Sequence, residues 1–235
     1  MSRPKLSCIV IVLIFCFACS AFVGVNVWVR KTRPHISRGC DKIQLIDDHL
    51  LAIALGTPSP DMPPLNSLKR QVMEEYDLAP DNVNMWAGTV SWTDGDWSYR
   101  AEYAKSGYVV VDRQWERKWS VFRPNLADVL RCFGNPTMYD AYSYMDITPG
   151  FIMQLWYTDK GDRSFMVETL IFIGSDNPLS PPDFTEIPTR FDGRLPITDV
   201  YVGDMTDLAS SPRTQLKPWP GNAEDIAIEQ MRKIY

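Results

Sequence analysis

One uncharged, apolar run near the start of the chain constrains what the rest can be. It covers residues 6–29, LSCIVIVLIFCFACSAFVGVNVWV, and is followed by Arg30, Lys31 and Arg33. As an α-helix the run would be about 36 Å long, enough to cross a hydrocarbon core of about 30 Å. Most of its residues are Leu, Ile, Val or Phe, each of which favours insertion by roughly 0.3–0.6 kcal/mol near the bilayer centre. The sequence therefore predicts a cytoplasmic tip and one transmembrane anchor within residues 1–33.

Two processed forms compete with this anchor. The small residues at 18–21 are typical of a signal-peptide cleavage site, and Cys19 is a candidate for lipidation. The apolar run continues over residues 22–29, beyond both positions, which favours an uncleaved anchor. Basic residues flank the run on both sides, so their count hardly decides its orientation. We expect the remainder outside the cytoplasm, because an N-terminal signal anchor commonly directs a long following domain across the membrane.

The part of the chain beyond the anchor is acidic. All 29 Asp and Glu residues follow Cys40, while six of the 24 Lys and Arg residues precede it, leaving 18 basic against 29 acidic side chains and a net charge of −11. This charge repels phosphate backbones and anionic lipid heads. We therefore expect membrane contact through residues 6–29 and no nucleic-acid partner. Residues 34–44 are interpreted as a stalk, and residues 45–235 as one soluble domain.

The soluble domain shows the patterns of helices and antiparallel strands. Hydrophobic spacing, capping residues and breakers predict helices over 46–56, from Asn66 or Ser67 to Tyr76, over 126–133 with Asn125 as the cap, and over 222–233 with Asn222 as the cap. Runs of aromatic and β-branched residues predict strands over 84–92, 97–104, 108–115, 138–144, 151–157, 164–173 and 197–202. Residues 174–196 are expected to form a crossing loop. The fold class is α+β, with helices packed on antiparallel meanders.

The same order of elements occurs twice. A helix followed by three strands is predicted within residues 65–115 and again within residues 124–173. We therefore predict a tandem helix-plus-three-strand repeat, followed by the C-terminal helix at 222–233.

The second of these units resembles a known family. The segment LADVLRCFGNPTMYDAY at 126–142, followed by FIMQLWY at 151–157, is similar to the SmpA/OmlA family, which includes the small lipoprotein of the bacterial outer-membrane barrel-assembly machinery. A tandem version would resemble the fold of β-lactamase inhibitor protein. The Gly-Asn-Pro break at 134–136 and the PWPG segment at 218–221 also resemble membrane-anchored bacterial proteins of uncharacterised function. The resemblance implies an extracytoplasmic scaffold that binds a partner, without naming one.

No catalytic or metal-binding motif stands out. The chain contains only two histidines, His35 and His49, and a helix would spread Asp47, Asp48 and His49 by about 100° each rather than converge them on one metal. The acidic segments at 94–96 and 159–162 lack the ligand spacing of an EF-hand and are typical of hairpin turns. We expect no catalytic residues, no metal and no cofactor.

The cysteines and tryptophans each leave two interpretations open. Cys40 and Cys132 could form a disulfide outside the cytoplasm, or Cys132 could be a helix thiol. The soluble tryptophans either form a binding surface, for which Trp86, Trp92, Trp97 and Trp156 are the candidates, or pack as core and cross-strand pairs. The core interpretation is favoured.

These features lead to two functional hypotheses. The first is a single-pass, membrane-anchored, extracytoplasmic interaction module without catalytic activity, whose partner is an envelope protein. The alternative is a small-ligand receptor or enzyme whose site forms only in the tertiary structure, with Asp140, Asp146 and Glu168 as candidate carboxylates. A pocket that holds two or more of these carboxylates would favour the alternative.

Overall fold

The computed structural model describes most of the domain beyond the apolar run. The described residues are 40, 45–56, 63–95, 97–104, 107, 109–115, 124–144, 149–158, 164–172, 188–211 and 213–232. Among these residues, no helix is both long and apolar enough to cross a membrane. The predicted anchor at 6–29, the stalk apart from Cys40, and the acidic segment at 159–162 lie outside them, as do His35 and Asp146.

The α+β prediction is confirmed. The described residues form four α-helices, α1 (Asp48–Leu55), α2 (Pro64–Glu75), α3 (Leu126–Phe133) and α4 (Thr206–Ala209), and two 3-10 turns at Pro80–Asn82 and Ala223–Asp225. The strands are β1 (Asn84–Trp86), β2 (Thr89–Asp94), β3 (Trp97–Tyr103), β4 (Val109–Trp115), β5 (Met138–Tyr144), β6 (Gly150–Tyr157), β7 (Phe165–Phe172), β8 (Asp199–Gly203), β9 (Lys217–Pro218) and β10 (Glu229–Arg232).

All ten strands belong to one sheet. Their order is β1-β2-β3-β4-β8-β7-β6-β5-β10, with β9 also paired to β5. The pairs are antiparallel except β5 with β10, which is parallel. Strand β8 therefore joins two meanders, β1–β4 and β5–β7. We call the first the open half-sheet and the second the closed half-sheet, because their outer faces differ.

The helices start and stop where local chemistry dictates. Asp47 caps α1 by accepting a hydrogen bond from the Leu50 amide at 2.7 Å. Asn125 and Asp128 form a reciprocal capping box at the start of α3, and Gly134 follows its last turn with a positive φ of 76°. Helix α2 begins at Pro64, because proline is well suited to the first helical turn; the predicted caps Asn66 and Ser67 lie inside the helix.

The main core lies between helices α1–α3 and one face of the sheet, which we call the inner face. Alternate residues of each strand point to it, as period-2 geometry requires. Helix α1 packs on β4 and β8, and α2 packs on α1 and β2. The fully buried residues of this core include Leu50, Leu68, Val111, Val129 and Leu155. The opposite, outer face of the sheet carries the other residues of each strand.

Two strand and helix predictions were wrong. The strand expected over 84–92 is a hairpin, β1 and β2, with Ala87 and Gly88 both at positive φ in a two-residue turn. The helix expected over 222–233 is a single 3-10 turn followed by β10. Asn222 does cap the turn, by accepting from the Glu224 amide at 3.4 Å, but the chain then pairs with β5 instead of continuing as a helix.

Each predicted repeat unit contains a helix followed by a three-strand meander in the structure. In the first unit, α2 precedes β2–β4, with the short β1 added before them; in the second, α3 precedes β5–β7. An origin of the two units in an internal duplication stays a prediction.

Candidate functional site

A groove lies on the outer face of the open half-sheet. It has a volume of about 370 Å³ and is open to solvent along one side. Its lining comes from the first 3-10 turn and from β1–β4: Asn82, Asn84, Ser91, Trp92, Thr93, Ser98, Tyr99, Arg100, Asp112 and Gln114. We call it the outer-face groove. Eight of these ten residues have polar or charged side chains, because the strands alternate between buried inner residues and hydrated outer ones; the inner-face residues Trp92 and Tyr99 also border the groove.

Strand register places the polar side chains in rows. Asn84, Ser91, Arg100 and Asp112 lie directly opposite one another on β1, β2, β3 and β4. A second row contains Thr93, Ser98 and Gln114, and continues onto the neighbouring strands as Asp199, Glu168, Gln154 and Asp140. Opposed residues on one face are close enough to interact. The groove therefore ends at a seam, formed by β4, β8 and β7, where acidic residues accumulate.

Three carboxylates meet at this seam. Gln114 Nε2 donates to Asp199 Oδ1 at 2.9 Å, and Gln154 Nε2 donates to Glu168 Oε2 at 2.7 Å. Burial, together with the charge of Asp199, raises the pKa of Asp112 to about 7. The same two causes raise the pKa of Glu168 to about 7. Like charges close together and away from water disfavour ionisation, so ionising the carboxyl groups of the seam is energetically unfavourable.

Arg100 is the cation within the groove. Its Nη2 lies 3.4 Å from Asp112 Oδ2, and its side chain is about half exposed. The Asp112 side chain is only 15% exposed, and no described residue donates a hydrogen bond to its buried Oδ1 atom. Because exposed ion pairs are screened by water, Arg100 compensates the seam only in part.

One large aromatic side chain stands at the rim of the groove. Trp86 on β1 is 82% exposed and shares the outer face with Asn84, two residues earlier. Strand β1 is at the end of the strand order, and no strand among the described residues pairs with its free edge. An exposed tryptophan beside an open groove is typical of a contact surface, because its ring supplies a large apolar area.

The other three tryptophans proposed as a surface are buried, which corrects that interpretation. Trp92 is 2% exposed and Trp97 is 8% exposed. Both rings lie on the inner face, where Trp92 stacks on Tyr99 at 5.0 Å and the Arg113 guanidinium lies 4.2 Å from the Trp97 ring centre. Trp156 is 1% exposed although it faces outward, since Met166 and Met205 cover it. The core interpretation therefore describes these three.

Neither of the two candidate carboxylates that the structure describes, Asp140 and Glu168, lines the groove. Asp140 is fully buried and accepts two hydrogen bonds of 2.7 Å from Arg232, whose guanidinium also lies 3.8 Å from the Tyr142 ring centre. This arrangement neutralises Asp140 and ties β10 to β5, so its role is structural. Glu168 belongs to the seam, and Asp146 lies outside the described residues.

Neither Arg100 nor Asp112 was among the site residues predicted from the sequence. The alternation in β3 and β4 contained the available signal for both. Their proximity to Asp199 and Glu168 depends on the insertion of β8 between β4 and β7, which no local pattern shows.

A disulfide joins Cys40 to Cys132, with 5.3 Å between their Cα atoms. The bond attaches Cys40, before α1, to helix α3. Of the two interpretations of these cysteines, the structure agrees with the disulfide. His49 instead takes part in a surface contact, with Nδ1 3.3 Å from Glu75 Oε2. Among the described residues, no group of His, Cys, Asp and Glu has the arrangement of a metal site.

No family model, no curated protein and no solved structure matches the chain.

Proposed function

We propose that this chain is a membrane-anchored interaction module that binds an extended segment of a partner protein in the outer-face groove. The observation that carries the proposal is the groove itself, an open polar channel beside the exposed ring of Trp86. The predicted anchor at residues 6–29 would hold the module at a membrane. The resemblance to the SmpA/OmlA family agrees with such a role and stays a prediction.

The chemistry of the lining favours a polypeptide. Small-molecule pockets enclose most of their ligand and are mainly apolar. This groove is open, and its amide and hydroxyl groups, from Asn82, Asn84, Ser91, Thr93, Ser98 and Gln114, can both donate and accept hydrogen bonds. A peptide backbone presents the same alternation of donors and acceptors. The row from β1 to β4 spans three strand spacings, about 14 Å, which matches four or five extended residues.

The disulfide supports a location outside the cytoplasm. Disulfides persist in oxidising compartments and are rare where thiols are kept reduced. Cys40 follows the predicted anchor closely in sequence, and its disulfide with Cys132 would lie on the same side of the membrane as the domain. We therefore propose that the domain is extracytoplasmic and that its partner is a protein of the cell envelope.

Site-specific photo-crosslinking of the full chain in its own membranes tests the proposal. A photoreactive residue at Asn84, which is exposed and lines the groove, is expected to capture one discrete partner. The same residue at Leu55, exposed on α1 beyond the inner face, is the matched control and is expected to capture none. Trp86→Ala should abolish the capture from position 84 without affecting the fold, because the ring is exposed.

Equal capture at positions 84 and 55, or no capture at either, would contradict the proposal. So would a captured product that resists protease digestion of the partner and disappears with glycosidases, since the groove would then bind a glycan.

A further inference from the structure

We propose that the bound segment carries a lysine or arginine whose charged end contacts Asp112 at the inner end of the outer-face groove. This inference rests on the proposed function and adds the chemistry of the partner. It concerns the one end of the groove where charge is left incompletely compensated.

The first argument is the balance of charge around Asp112. Strand β3 presents Arg100 and Glu102, β8 presents Asp199 and Tyr201, and β7 presents Glu168. The electrostatic influences on Asp112 come from Asp199 and Glu102, which oppose its ionisation, and from Arg100, which favours it. Negative charge therefore exceeds positive charge at this end, and a cationic side chain is complementary to it.

The second argument is a carboxylate oxygen of Asp112 that has no hydrogen-bond donor among the described residues. Asp112 Oδ2 faces Arg100, whereas Asp112 Oδ1 is buried and receives no hydrogen bond from any described residue. A buried carboxylate oxygen without a donor is unfavourable, and an ammonium or guanidinium group supplies the N–H donors that it lacks. Asp112 lines the groove and its side chain is 15% exposed, so a ligand in the groove can contact the carboxyl group next to the buried Oδ1 atom.

The third argument is the distance between Trp86 and Asp112. Trp86 stands on β1 at the rim of the groove, and Asp112 lines the groove on β4, three strand spacings away. Strands are about 4.8 Å apart, and Trp86 lies two residues along β1 from Asn84, which is in register with Asp112, so a segment from Trp86 to Asp112 covers about 16 Å, or about five extended residues. The basic residue is accordingly expected at that distance from the residue that contacts Trp86.

Ionisation of Asp112 makes the contact sensitive to pH. Because burial and the charge of Asp199 raise its pKa to about 7, Asp112 is ionised at pH 8 and largely protonated at pH 5.5. A cation binds the ionised form, so affinity is expected to rise as the pH rises through 7. If only the ionised form binds, the loss between pH 8 and pH 5.5 is roughly 30-fold.

Selection of peptides from a random heptapeptide phage library, on the full chain in detergent micelles, tests the inference. At pH 8 we expect Lys or Arg to be enriched at least tenfold at one position of the selected peptides. The enrichment should disappear with Asp112→Asn and persist with Asp112→Glu, which keeps the charge. Selection at pH 5.5 should weaken it. Thermal unfolding of each variant establishes that it is folded.

The outcomes separate the two proposals. Peptides that are selected by the wild-type chain and lost with Trp86→Ala, but that lack a preferred basic residue or are indifferent to Asp112→Asn, would overturn this inference and leave the proposed function standing. If no peptide is selected, or if Trp86→Ala changes nothing, the groove is not a peptide site and both proposals fall.

Discussion

The open and closed half-sheets share an order of elements but differ in how far their outer faces are covered. Each contains a three-strand meander preceded by a helix, β2–β4 after α2 and β5–β7 after α3, and helices cover the inner face of both. In the closed half-sheet, six of the seven residues of β5 are buried, because α4 and the segment around it cover the outer face. In the open half-sheet, β3 alternates between buried and solvated residues. Strands β6 and β7 of the closed half-sheet have half-buried outer residues, whereas exposed ones occur on β2 and β3, so the open half-sheet has the more exposed outer face.

The two half-sheets also treat their buried acids differently. In the closed half-sheet, Asp140 receives two short hydrogen bonds from Arg232 and a third from the Gln215 amide at 2.9 Å. At the boundary of the open half-sheet, Asp112 has one longer contact with a half-exposed arginine. Complete pairing agrees with a structural role for Asp140, whereas the incomplete pairing of Asp112 beside the groove is the feature on which the proposed contact with a basic side chain rests.

Truncating one tryptophan in each half-sheet should give the largest contrast. Trp156→Ala removes a ring that is fully buried between the closed half-sheet and Met205, and should lower the free energy of unfolding by about 4 kcal/mol. Trp86→Ala removes an exposed ring and should change it by no more than about 0.5 kcal/mol. Urea denaturation measures both. Comparable losses would contradict the distinction between the half-sheets.

Breaking the buried ion pair should cost somewhat less. Arg232→Met leaves the carboxylate of Asp140 buried without its cation, and we expect a loss of about 3 kcal/mol in the free energy of unfolding. The double variant with Asp140→Leu should recover most of it, because neither charge then remains buried. Arg194→Met, which removes an exposed partner of Asp192, is the control and should cost less than about 1 kcal/mol. A small loss in Arg232→Met would show that the pair does not hold β10.

Local patterns predicted the elements whose signals are local. Helix α3 starts after Asn125 and ends before Gly134 as its capping residues indicate, and β5 covers the predicted residues 138–144. The β1–β2 turn was missed because Ala87 adopts a positive φ that alanine rarely adopts, and the more familiar Asn-Gly signal is absent. The last element was misassigned because its cap is real but its continuation is set by pairing with β5.

The candidate site depends on contacts that sequence spacing does not show. Asp140 and Arg232 are 92 residues apart, and Asp112 meets Asp199 only because β8 inserts between β4 and β7. Alternation within β3 and β4 showed which residues face outward, but it did not show which outer face stays open. That depends on the position of α4 across the sheet, a tertiary feature with no periodic signature. The core interpretation of Trp156 agrees with its burial, although its strand position faces outward and only tertiary contacts cover it.

The disulfide links Cys40, which precedes α1 in the chain, to α3, the helix before the closed half-sheet. Removing it with Cys40→Ala should lower the free energy of unfolding by about 2–3 kcal/mol, because a cross-link between residues 92 apart restricts the unfolded chain. A reducing agent should destabilise the wild-type chain by a similar amount and leave the variant unchanged. Chemical denaturation with and without reductant provides the measurement. Equal effects of reductant on both chains would place the destabilisation elsewhere.

The smallest expected effect is the pH dependence of the seam. The folded-state pKa values of Asp112 and Glu168 are raised to about 7, while unfolded carboxyls titrate near 4. Between these values the folded chain binds more protons than the unfolded one, so these two residues make the free energy of unfolding fall as the pH rises from about 4 to 7. Asp112→Asn removes one contribution. The variant should match the wild-type chain near pH 4 and exceed it by about 1 kcal/mol at pH 8, after allowance for screening.

Asp81→Asn, at an exposed carboxyl in the first 3-10 turn, removes the same charge away from the seam and is the matched control. If both substitutions shift the pH profile equally, the effect reflects the overall charge of the domain. If only Asp112→Asn stabilises the chain at high pH, the open half-sheet gives up stability to keep a carboxylate where a partner can reach it. In the closed half-sheet, Arg232 neutralises Asp140, so no comparable loss of stability is expected there. The proposed binding role for the groove requires this difference between the two half-sheets.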